Sequence, residues 1–257
     1  MIDRDEDRGW LKLSRVELAE DVRLICLPWA GAGASGFWPL AHRLGSSVEV
    51  FAYQPPGRES RIRGALSLSL DGLVEDFLLK TRELRSRPFG LLGHSFGAMV
   101  AYEAALRICG GGDALPEFVI ASGCAGPAAK SSQADISQLP EAEFVTACAA
   151  YGGLPEEILG NAELMRLILP GLRSDCRMAE HWRTAKLAAL PKPLPVPLVA
   201  VAGAADPFVP KEGLQAWLAV AGSDFSFRQF AGGHFYLSEN CPGLVNLISD
   251  LAFASSN

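Results

Sequence analysis

"LLGHSFGAMVAYE", residues 91–103, sets Ser95 between Gly93 and Gly97, directly after an apolar run and directly before a helical pattern. Small residues on both sides of a serine let the chain turn sharply from strand to helix and leave the hydroxyl exposed at the sheet edge. The following stretch "FGAMVAYEAALRI" supplies the helix, whose N-terminus places a positive field beside anything that Ser95 attacks. The five residues alone also fit an ordinary tight turn. The rest of the chain must supply a base, an acid and oxyanion donors in a workable order.

Working outward, short apolar runs recur on both sides: 23–30, 48–53, 89–95, 118–123, 198–203 and 225–230. Most are continuously apolar, as strands buried on both faces of a parallel sheet must be. Between them lie helical patterns at 70–84, 96–108, 211–221 and 241–252. In the first of these, Leu70, Leu73, Val74, Phe77, Thr81 and Leu84 form one stripe at spacing three or four. This alternation predicts an α/β fold with a mostly parallel central sheet flanked by helices. The alternation fails once, from about 128 to 190, where helical character replaces strand signals. Pro140, Pro155 and Pro170 are expected to cut this insertion into short helices, and "ALPKPLPVP" (189–197) to return the chain to the sheet. Such an insertion reads as a helical lid or as ordinary outer-layer packing. One domain over 1–257 carrying this insertion is the expected organisation.

Composition narrows the function classes. A 49% hydrophobic share against 20% charged residues describes a globular chain with ample core material. The net charge of −6 argues against nucleic acid as a partner. The opening "MIDRDEDRGWLKL" lacks the apolar core of a secretory signal, and no apolar run approaches the roughly 18 residues of a membrane span. A soluble cytoplasmic protein, monomeric and off the membrane, is therefore expected. Six cysteines lie scattered without metal-ligand spacing and read as reduced thiols, Cys26 and Cys124 as core residues. With four histidines and no clustered carboxylates, neither a metal nor another cofactor is expected.

Among those histidines, His42 falls on a helix, His94 inside the turn itself and His181 in the helical insertion. His234, in "FAGGHFYLSE", follows the last strand in a Gly-rich loop that can set an imidazole over the sheet edge. Asp206, in "LVAVAGAADPFVP", follows the preceding strand; by itself it reads equally as a turn residue before Pro207. Taken together, Ser95, Asp206 and His234 stand in the order nucleophile, acid, base, after three successive strand ends, as the nucleophile-elbow fold requires. The amide of Phe96 is one expected oxyanion donor. The second should come from "PWAGAGASG" after the first strand, where Ala30 is the choice among several amides.

These segments resemble the type II thioesterases that accompany modular polyketide and non-ribosomal peptide synthases. The resemblance runs from about Arg23 to Leu237 and rests on "LPWAGAGAS", "YQPPGRESRIRG", "LLGHSFGAMVAYE", "GAADPFV" and "FAGGHFYL". The second stretch, with Pro56, Gly57, Arg58, Glu59 and Arg61, is the most specific. The resemblance implies an α/β-hydrolase with a helical lid. It makes Ser95, Asp206 and His234 a catalytic triad and the Ala30 and Phe96 amides an oxyanion hole. It further implies removal of stalled or misprimed acyl groups from the phosphopantetheine of acyl or peptidyl carrier domains. The rival readings are a chain-releasing fatty-acid thioesterase, a general serine carboxylesterase and, more distantly, a non-catalytic binding protein. Two positions depart from the family: Ala32 replaces a glycine, and Phe96 stands where Met or Leu is usual, which puts a larger ring beside the acyl site. Arg58, Arg61 and Arg63 read first as loop ties to Glu59 and nearby carbonyls, and second as contacts to a phosphate or an acidic carrier. Trp29, Phe37, Trp38 and Phe235 read as lining for an acyl channel or as core.

Overall fold

The computed structural model describes residues 8–14, 22–129, 134–154, 156–188, 192–222, 224–239 and 241–254. Its centre is a seven-stranded sheet in the order β1-β3-β2-β4-β5-β6-β7. The strands are β1 (Trp10–Lys12), β2 (Arg23–Leu27), β3 (Glu49–Tyr53), β4 (Phe89–His94), β5 (Phe118–Ser122), β6 (Leu198–Gly203) and β7 (Phe225–Phe230). All pairings are parallel except that of β1 with β3. The four strands β3 to β6 are buried at every position, which explains their unbroken apolar runs. By contrast β7, at the open edge, alternates half-buried and exposed residues over most of its length. The three-residue β1 carries too little pattern to be read from sequence. It is held by its pairing to β3 and by Trp10, which packs edge-on against Phe51.

Helices cover both faces: α1 (Trp38–Leu44), α2 (Leu70–Lys80), α3 (Phe96–Gly111), α7 (Lys211–Gln215) and α8 (Pro242–Ala254). Leu73, Val74, Phe77, Thr81 and Leu84 of the predicted stripe are buried, although α2 proper stops at Lys80 and a short 3-10 turn carries Leu84. Between β5 and β6 come α4 (Glu141–Ala150), α5 (Glu156–Leu159) and α6 (Ala162–Ala188). Parts of the insertion expected at about 128–190, including Pro155 and residues 130–133 and 189–190, lie outside the described residues. Pro140 does stand at a break, immediately before α4. Pro170 does not: α6 runs through it for 27 residues. A proline inside a helix costs about 3 kcal/mol. Met165, Leu169 and Leu172, buried on one face across that position, together contribute more, at about 1.5–3 kcal/mol each. Breaking the helix would take them off their common face, so packing overrides the local preference.

Candidate active site

The order of strands creates the site before any side chain is considered. From β2 the chain moves outward to β3, then returns across β2 to β4, so the loops leaving the carboxyl ends of β2 and β4 diverge. A crevice opens at such a switch point. The loop after β2 is "PWAGAGASG", and the turn after β4 carries Ser95.

Ser95 has φ 54° and ψ −116°, one of two non-glycine residues with positive φ among the described residues. Such a conformation costs of order 1–3 kcal/mol and persists only where the surroundings impose it. They do so here: the Ser95 amide donates to Ser122 O of β5 at 2.7 Å, and Ser95 O accepts from Ala98 N at 3.0 Å. Close packing explains the flanking glycines. A Cβ on Gly93 would lie 2.1 Å from Gly97 O, and one on Gly97 would lie 2.1 Å from Leu27 O. The start of α3 is therefore pressed against both its own strand and the end of β2.

Past β6, Asp206 is anchored by its own amide to Gly203 O at 3.1 Å and accepts Phe208 N on Oδ1 at 2.9 Å. Its other oxygen, Oδ2, is 2.7 Å from Nδ1 of His234 in the loop after β7. Both residues are buried. A buried carboxylate on Nδ1 fixes one imidazole tautomer and leaves Nε2 free to accept a proton. His234 and Ser95 line the same cavity, together with Trp29, Ala30, Phe96 and Phe235. Among the described residues, neither the Ala30 nor the Phe96 amide donates a hydrogen bond within the protein. The cavity measures about 110 Å³ and is mostly apolar. Its far wall is built by the insertion, with Cys148 and Tyr151 near α4 and Leu172, Cys176 and Arg183 on α6. No spacing in the sequence marks these wall residues, because they meet the sheet edge only through tertiary packing.

His94 faces away from the cavity into the core, where its Nδ1 lies 2.9 Å from Ser122 Oγ, itself 2.8 Å from the Tyr236 hydroxyl. Burial, and next the neighbouring His234, hold its imidazole well below the usual range, so it stays neutral. The six cysteines are free thiols. Burial alone pushes Cys26 far up and, as the main cause, takes Cys124 to about 12, which leaves both inert. Among the described residues no three His, Cys, Asp or Glu side chains gather as metal ligands would, and no helix is long and apolar enough to cross a membrane.

Several expected contacts fall elsewhere. Trp29 and Phe235 line the cavity with ring centroids 5.4 Å apart. Phe37, however, is fully buried beneath Trp29, and Trp38 is exposed on α1. Of the two readings of the arginine loop, the ties to nearby carbonyls are the ones seen for Arg58 and Arg61. Arg58 is 5% exposed, and its guanidinium reaches Asp175 of α6, Gly171 O and Pro56 O. Arg61 makes a two-pronged pair with Asp76 of α2 at 2.7 and 2.8 Å and also donates to Gln54 O. Their carboxylate partners lie 15 and 117 positions along the chain, too far for sequence to suggest. Glu59, the tie expected for these arginines, accepts instead from Ser35 Oγ at 2.6 Å. Of the three arginines only Arg63 is exposed.

A mostly parallel sheet with a strained serine at the β4–α3 turn and a His–Asp pair after the last two strands makes the protein an α/β-hydrolase. The chain matches the thioesterase domain over residues 22–252 and belongs to the thioesterase family. It is 32% identical to the gramicidin S biosynthesis protein GrsT of Aneurinibacillus migulanus, over 90% of this chain and 89% of that one. It is 33% identical to thioesterase PikA5 of Streptomyces venezuelae, over 94% and 84%. The structure of the type II thioesterase BorB from the borrelidin biosynthetic cluster superposes with a TM-score of 0.82 at 30% identity, covering 95% of this chain and 98% of that one. The resemblance read from the five motifs therefore holds for the family.

Proposed function

We propose that the protein is a serine thioesterase that releases acyl groups from the phosphopantetheine arm of carrier domains in polyketide or non-ribosomal peptide synthesis. The observation that carries this reading is the 2.7 Å His234–Asp206 contact beside a cavity shared with the strained Ser95. In the mechanism, His234 Nε2 takes the Ser95 proton while Oγ attacks the thioester carbonyl. Asp206 stabilises the resulting imidazolium. Negative charge on the carbonyl oxygen is met by the free amides of Phe96 and Ala30, aided by the N-terminus of α3. As the tetrahedral intermediate collapses, the pantetheine sulfur leaves and takes the proton from His234. Water then attacks the acyl-serine, with His234 again as base, and a free acid departs.

The apolar wall supplied by α4 and α6 suits an acyl chain better than a charged substrate, and a closed insertion would shield the acyl-enzyme from premature water. No metal or cofactor enters this scheme. Biosynthetic relatives such as GrsT and PikA5, and the type II enzyme BorB, support an editing role in which stalled or misprimed acyl groups are cleared. The test is Ser95→Ala assayed on acyl-carrier thioesters and on matched oxygen esters. Turnover should vanish with the fold intact. Turnover retained in the variant refutes the mechanism, and equal wild-type rates on both ester types favour a general carboxylesterase.

A further inference from the structure

The loop after β2 is held from two directions. From the β3 side, Gln54 Oε1 accepts Ala34 N at 3.0 Å, and Glu59 accepts Ser35 N and Oγ. From the insertion, Leu172 of α6 packs against Gly31, and Asp175 Oδ2 of α6 accepts Gly31 N at 2.8 Å. That same oxygen is 2.5 Å from Nη2 of Arg58, which also donates to Gly171 O of α6 at 3.0 Å. Gly171 is needed for this approach, because a Cβ there would lie 2.7 Å from the guanidinium carbon. Asp175 and Arg58 are both nearly inaccessible, at 5% exposure each. An ion pair taken out of water is a poor source of stability, since desolvation offsets much of the attraction. Its specific arrangement calls for another explanation.

Gly31 N–H belongs to the peptide that joins Ala30 to Gly31. Fixing that peptide restricts rotation about Ala30, which lines the cavity with Ser95 and whose amide, among the described residues, donates to no protein group. We infer that Asp175 is a positioning residue for the oxyanion hole, with Arg58 holding its carboxylate in place, so that the Ala30 amide is aimed only while α6 is seated. The inference rests on the proposed role of Ala30 as a donor. It assigns the most specific stretch of the sequence, the arginine loop, to catalytic geometry rather than to carrier contact. It also makes the insertion part of the catalytic apparatus: an α6 that swings away takes the Gly31 acceptor with it, and the enzyme is switched down while open.

The test is kinetic, on a short acyl-cysteamine thioester that does not depend on a carrier. Arg58→Met/Asp175→Leu removes both charges together, so no buried ion is left unpaired, but Gly31 N–H loses its acceptor. Losing one oxyanion donor costs about 10²–10³ in kcat, and misaiming one costs less, so kcat should fall roughly 10–100-fold. KM should stay within about threefold, because ground-state binding is not touched. Asp175→Asn keeps a carbonyl oxygen for Gly31 and should recover most of the lost kcat, a rescue that a purely electrostatic role would not allow. If that variant does not fold, Arg58→Met/Asp175→Ser, which likewise leaves no buried charge unpaired and whose hydroxyl is too short to reach Gly31, takes its place with the same expectation. A folded variant with wild-type kcat overturns the inference, as does Asp175→Asn falling as far as the double variant. Ser95→Ala measured alongside separates the two levels: if it too keeps turnover, the catalytic reading fails, and if it alone is dead, only the positioning role fails.

Discussion

Gly97→Ala adds one methyl group at the tightest point of the site. The new Cβ would sit 2.1 Å from Leu27 O and 2.6 Å from Pro28 O, both main-chain atoms that no rotamer change can move. An ordinary C···O separation is about 3.3 Å, so the start of α3 must retreat from the end of β2 by about 1.2 Å. Gly97 follows Phe96 directly, and Pro28 precedes Trp29 and Ala30, so the retreat widens the gap between the two proposed oxyanion amides. A misplacement of about 1 Å costs on the order of 10²-fold in rate, or about 2.7 kcal/mol of barrier. Overpacking a close contact costs about 1–3 kcal/mol of stability. At about 2–4 °C per kcal/mol for a chain of this size, Tm should drop by roughly 2–12 °C. The assay pairs steady-state hydrolysis of a short acyl thioester with a thermal melt, both run well below the variant's Tm. A folded Gly97→Ala enzyme with kcat within threefold of wild type would refute the link between this glycine, the strand–helix approach and the oxyanion geometry.

Two further expectations use the pairs seen around the site. Asp206→Asn preserves shape and the Phe208 contact but no longer stabilises the imidazolium or its tautomer. Hydrolysis should fall by about 10³–10⁴ while Tm moves little, and a loss under tenfold would show that His234 is oriented by something else. Arg61→Met leaves Asp76, among the described residues, with only the Tyr53 hydroxyl at 2.6 Å, so Tm should fall as about 1–3 kcal/mol is lost, with KM for a carrier-bound substrate unchanged. A raised KM at unchanged Tm would return this arginine to carrier recognition.

The parts of this protein that were legible in the sequence are those governed by local rules. Six of the seven strands announce themselves, five of them by apolar runs long enough to show their burial, whereas β1 shows nothing in three residues. Gly93 and Gly97 mark the turn at Ser95 because backbone atoms there come within the radius of a Cβ. Asp206 and His234 were found by their order after successive strands, since parallel strands bring their carboxyl ends to one edge whatever lies between.

Tertiary structure decided what depends on residues meeting across the chain. Pro170 reads as a helix breaker, yet the burial of Met165, Leu169 and Leu172 carries α6 straight through it. Arg58 and Arg61 read first as ties to Glu59 and nearby carbonyls and second as groups for a phosphate or a carrier, because a guanidinium's preference for oxyanions is a property of the side chain alone. Which oxyanion it finds is set by packing, and here they are Asp175 and Asp76. Sequence by itself determined the fold and the order of the candidate reactive residues, which follow from periodicity, small residues and strand ends, while the family followed from the resemblance of five motifs. Only the tertiary structure determined that the arginine loop turns inward onto Asp175, which in turn ties the insertion to the loop after β2, because a buried charge must take its partner from whatever the fold brings within reach.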